Sequence, residues 1–110
     1  MLFASLVLAM MAPSPMAQVD TTRAAFTKCL RDHLKKSLED KMSEAEYGMA
    51  LKAACETERA AFRAAVITLD TSGGDSAKTA AADADSQVED YHGTFADKFK
   101  DYTETNTLPS

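Results

Sequence analysis

Apolar side chains recur along this chain at helical spacing, and no stretch shows the strict alternation of a half-buried strand. Phe26, Leu30, Leu34 and Leu38 repeat every four residues in a segment without Pro or Gly. Such spacing stacks them on one face of a helix predicted over 22–41, with Asp20 or Thr21 as its cap. A second stripe, Tyr47, Leu51, Cys55, Phe62, Val66 and Leu69, has Ala50, Ala54, Ala61 and Ala65 beside it. It predicts one continuous helix over 43–70. Ser43 followed by Glu46 has the form of a capping box, and Met42 stands where a staple residue would. Gly48 near the start costs about 1 kcal/mol relative to Ala. The run "DTSGGDS" from Asp70 ends this helix in a turn. Ala81, Ala84, Val88, Tyr91, Phe95, Phe99 and Tyr102 then predict a third helix over 76–103. Gly93 is a weak spot within it, and residues 104–110 form a polar, flexible tail.

Each predicted helix has one apolar face, and short connections favour antiparallel neighbours. The expected fold is therefore all-α, a three-helix antiparallel bundle with one interhelix disulfide. A variant is a long helical hairpin that completes its core by dimerising, because the second and third helices outrun the first.

The chain opens on an uncharged stretch, Met1–Ala17, whose apolar run Leu2–Ala12 is shorter than the ~20 residues a membrane span needs. It reads as a signal peptide over 1–17, cleaved after Ala17 to leave 18–110 as a single helical domain in the periplasm or secreted. The competing reading is an uncleaved N-terminal anchor. Four of the six methionines fall within this segment, so the domain itself is poor in Met and rich in Ala. Its core will be thin. With 12 basic against 17 acidic side chains, a net charge of −5, the chain offers no basic stripe for nucleic acid or anionic lipid.

The two cysteines change the picture most. A turn near residue 42 brings Cys29 and Cys55 level on facing helices, and an oxidising compartment would close them into a disulfide. Closing a loop of about 26 residues lowers unfolded-state entropy by roughly 3.5 kcal/mol equivalent. Cys29 is also one helical turn from His33 in "TKCLRDHL". A reactive Cys29–His33 pair or a zinc site of Cys29, His33 and Cys55 is disfavoured, because both cysteines lie mid-helix and no fourth ligand is evident.

Three further features carry candidate chemistry. Glu58 lies on the predicted core stripe, where an unpaired charge is costly, and Arg23 is the expected partner of a buried ion pair. Otherwise Glu58 would line a ligand groove. Glu89 and His92 form a single Glu-x-x-His, a weak metal candidate that a dimer would double. "LDTSGGDSA" lacks the Lys of a phosphate loop and the Gly and Glu of a calcium loop. No cofactor is expected, and no constellation suggests an enzyme.

The sequence thus indicates a small exported, disulfide-stapled helical protein with a protein-interaction or structural role in the cell envelope. Its partner would be a second copy or another envelope protein. The alternative is a small-ligand or metal carrier using an inter-helix groove or a dimer-paired Glu-x-x-His. An exposed patch of Tyr91, Phe95, Phe99 and Tyr102 would favour the interaction reading.

Overall fold

Ser14 and Pro15 start the first helix. The structure, a computed structural model describing residues 13–109, has the Ser14 hydroxyl accepting from the Ala17 N–H at 3.1 Å. Pro15 opens the first turn, where its missing N–H leaves no bond unmade. Helix α1 spans Pro15–Glu39, so it begins earlier than the expected Thr22 and places Val19 in the core. Residues 1–12 of the expected signal peptide lie outside the described residues, and the expected cut after Ala17 falls in the first turn of α1.

The chain leaves α1 through Lys41 at φ 54°, with the Met42 N–H donating to the Ser37 carbonyl at 3.1 Å. This is a left-handed helix end made without glycine. Ser43 then caps α2, Glu44–Ala53, by accepting from the Glu46 N–H, as its sequence context suggests.

Here the expected architecture fails. The single helix over 43–70 is two helices, α2 and α3, the latter spanning Glu56–Ser72. Between them Ala54 is extended and Cys55 is left-handed at φ 58°, ψ 38°. With α4, Ala77–Thr105, the described chain contains four helices. The three-helix bundle and the dimer-completed hairpin are both incorrect. The break is invisible to periodicity for a simple reason. Leu51 and Phe62 are eleven positions apart, a whole number of helical turns to within about 20°, so the stripe keeps its face whether or not the helix continues. The sequence has no Gly or Pro at the break. The structure has a covalent tie there instead, with Cys29 and Cys55 joined by a disulfide whose Cα atoms are 6.0 Å apart.

Helix α1 lies chiefly along α3, α3 and α4 form an antiparallel hairpin, and α2 packs mainly on α4. The Cα envelope measures 62 × 33 × 18 Å, about two helix layers thick. Two aromatic groups make the core. Phe26 stacks on Phe62 at 5.8 Å, with Tyr91 edge-on to both. Tyr47 stacks on Phe99 at 4.2 Å and on His33 at 5.5 Å. Helix α4 passes through Gly93 unbroken and ends at Asn106, left-handed at φ 54°.

Candidate functional site

The disulfide removes the first chemical candidates. Bonded sulfurs are neither nucleophiles nor metal ligands, since both roles need thiolates. A Glu58 carboxylate oxygen and the two sulfurs lie within 4.8 Å of one another. That is the nearest the described residues come to a three-donor cluster, and the disulfide occupies it. His33, one turn from Cys29, is committed to the Tyr47 stack. Burial pushes its pKa down, and its shielded Nδ1 has no protein partner. Tyr47 is similarly buried, its hydroxyl without a protein partner and its pKa pushed up to about 12 by burial.

The expected Arg23–Glu58 pair does not appear among the ion pairs of the described residues. Arg23 Nη1 lies 3.6 Å from Asp20 Oδ1, one turn back on its own helix. Its guanidinium also sits over the Phe62 ring, 5.6 Å from the centroid. Arg23 is thus shared between the Asp20 carboxylate and the Phe62 face.

Glu89 and His92 meet a different setting. Both line an open groove of 770 Å³ bounded by α2, α3 and α4, within the range typical of small-molecule sites. Leu51, Val88 and Ala96 supply apolar lining. At one end, Arg63 Nε donates to Asp85 Oδ1 at 2.7 Å and ties α3 to α4. This bond raises the Arg63 pKa and lowers that of Asp85. Arg59 anchors the other side. It donates through Nη1 to the carbonyls of Lys52 and Ala54, which the end of α2 leaves without helical partners. The helix break and the groove are thus one feature, because the residue that caps the break also lines the groove.

His92 presents its ring edge to Phe26 at 6.3 Å, and its Nε2 is shielded without a protein partner. Its pKa is depressed, first by burial and then by Arg59 and Lys52, against a smaller opposing effect of Glu89. No third donor joins Glu89 and His92 within ligating distance among the described residues. The Glu-x-x-His is a pair of groove residues.

Two glycines complete the site. Gly48 on α2 and Gly93 on α4 both line the groove. A Cβ built at either meets no atom within 4 Å, and both residues are helical. Neither backbone geometry nor close packing requires glycine, yet each costs about 1 kcal/mol against alanine. In sequence they read as weak points in helices. Their common address becomes visible only when α2 and α4 are placed side by side.

The aromatic patch that would favour protein interaction is not exposed. Phe95 and Phe99 are 4% and 1% accessible, and Tyr91 and Tyr102 are half-buried. Among the described residues the large exposed apolar side chains are Met16, Met49 and Leu108, which form no stripe. No helix among the described residues is long and apolar enough to cross a membrane. Comparison with family models, characterised proteins and solved structures yields no match for this chain.

Proposed function

We propose that this small, disulfide-stabilised helical domain is an exported binding protein that holds a small amphipathic ligand in the α2–α3–α4 groove. The observation that carries the reading is the pairing of Gly48 and Gly93. Two helix-interior glycines on different helices leave open space in the same groove, at a cost to helix stability that packing does not repay. Space for a guest accounts for both. Export is supported by the uncharged apolar start of the chain and by the disulfide, a bond favoured in oxidising compartments. The reading is of binding without turnover: Cys29 and Cys55 are bonded to each other, and among the described residues His92 Nε2 has no hydrogen-bond partner.

The interaction reading in the cell envelope, with a second copy or another protein as partner, loses its main support when Phe95 and Phe99 are buried. A shallow, charged-rimmed groove with an apolar floor suits a compact guest better than a flat protein face.

The test is fluorescence titration of the purified disulfide-bonded protein with Nile red, a neutral apolar probe. Binding with enhanced emission, lost in Gly48→Leu and Gly93→Leu variants that keep their melting temperatures, is the expected result. A probe response that survives both substitutions, or no response in the parent protein, would contradict the reading.

A further inference from the structure

Local preference and tertiary structure conflict at Ala54–Cys55. No Gly or Pro stands there, and the apolar stripe from Tyr47 to Leu69 keeps its face across the position. The sequence favours one helix, yet Ala54 is extended and Cys55 is left-handed. We propose that the Cys29–Cys55 bond is a redox switch for the groove. Oxidised, it holds the break open and with it the three-walled groove. Reduced, it lets α2 and α3 join into one helix, and the guest is released. This inference rests on the groove being a binding site and adds how that site is regulated.

The break and the groove depend on the same residues. Gly48 and Leu51 enter the groove from α2, Arg59 and Arg63 from α3, and Gly93 from α4. Helix α2 is a wall of its own only because the chain leaves the helix at Ala54 and Cys55. Arg59 secures that departure by donating to the carbonyls of Lys52 and Ala54. In a continuous helix those carbonyls would accept from the N–H groups of residues 56 and 58, and Arg59 would be freed. A joined helix over 44–72 would equal α4, Ala77–Thr105, in length and could lie along all of it. Tyr47, Leu51, Phe62 and Val66 would still share one face. The core therefore survives joining, while three walls become the seam between two helices.

Cys29 and Cys55 are both half-buried, which leaves the bond partly open to a dithiol reductant. One thiolate of the dithiol attacks a protein sulfur, the S–S bond breaks, and the other cysteine leaves as thiolate. The second thiol of the dithiol then displaces the bound cysteine and closes the reductant's own disulfide. Two electrons pass to the protein, the dithiol's two protons end on Cys29 and Cys55, and the dithiol is oxidised. Cys55 has then lost the tie that offsets its left-handed conformation. By linkage, a bound guest makes the bond harder to reduce by the factor that reduction weakens binding.

The experiment is Nile red titration, with far-UV circular dichroism, of three forms: disulfide-bonded, reduced by dithiothreitol, and Cys29→Ala/Cys55→Gly. The reduced protein should keep or gain helical signal. It should bind roughly tenfold more weakly, because the groove-forming conformation now carries the cost of a left-handed Cys55. The glycine variant has no bond but accepts positive φ, so it should bind as tightly as the disulfide-bonded form. Equal affinity in the oxidised and reduced protein overturns the switch and leaves the groove standing. The switch also falls if the glycine variant binds as weakly as the reduced protein, or if either bond-free form loses its helical signal. In those cases the bond serves the whole fold and not the break. If the disulfide-bonded protein itself binds no probe, the groove reading falls and the switch with it.

Discussion

Cys55, bonded to Cys29, is also the residue at which the chain turns left-handed between α2 and α3. A non-glycine residue in that conformation costs about 1–2 kcal/mol, and no Gly or Pro nearby assists the break. The disulfide therefore has two roles. It shortens the unfolded ensemble, and it holds Cys55 where helix propensity alone would not place it.

The first role predicts a loss of stability in Cys29→Ala/Cys55→Ala. Removing the tie should lower the unfolding free energy by about 2–4 kcal/mol, read from urea denaturation at matched m-values. A midpoint equal to that of the parent protein would mean that the helices hold the fold without the bond.

The second role predicts a change in backbone. With alanine at position 55 and no bond to restrain it, Ala54 and residue 55 should take helical 13Cα shifts, joining α2 to α3. Cys29→Ala/Cys55→Gly should keep the break, because glycine accepts positive φ without strain. Left-handed shifts at position 55 in the alanine variant would show that packing, not the disulfide, makes the break.

Much of this fold is legible in the sequence, and the exceptions have physical causes. The apolar stripes locate the helical segments, Ser43 marks a helix start, and "DTSGGDS" marks the turn after α3. The stripe register also brings Cys29 and Cys55 together. The break at Ala54–Cys55 escapes because the stripe returns to the same face after eleven positions. The start of α1 escapes because Ser14–Pro15, a sound cap pair, is embedded at the end of an apolar leader pattern. Arg23 and Glu58 share a plausible register, but a guanidinium can settle on an aromatic face as well as on a carboxylate. The groove is the least legible element. Lys52 and Arg59 belong to no motif, Glu89 reads only as half of a lone Glu-x-x-His, and only the tertiary arrangement of three helices gathers them.

Gly48→Ala and Gly93→Ala should each stabilise the protein, by about 1 kcal/mol at most, because the added methyl meets no atom within 4 Å. The double variant should be additive in chemical denaturation, since the sites share no packing partner. Destabilisation by either would mean that the glycines serve the fold.

Asp70, near the end of α3, has its pKa raised chiefly by the Asp83 carboxylate on α4, then by burial and by the charge of Asp75, and its Oδ2 has no hydrogen-bond partner in the protein. A carboxyl whose folded pKa is raised contributes stability that is fully present below its unfolded value and lost as pH rises through the folded one. Asp70→Asn should therefore raise the melting temperature near neutral pH and lose that advantage in acid. An advantage that persists unchanged at low pH would contradict the unfavourable influence of Asp83 on the Asp70 carboxylate.

The most direct test of the binding groove is a 15N–1H NMR titration of the disulfide-bonded protein with dodecanol, a small neutral amphiphile. The chain has four glycines, whose amide signals are readily resolved. Gly48 and Gly93 line the groove, and Gly73 and Gly74 lie in and beside the distant α3–α4 turn as internal controls. The account predicts that the Gly48 and Gly93 signals move together and saturate while Gly73 and Gly74 stay in place. Unmoved Gly48 and Gly93, or four glycines shifting alike, would contradict it.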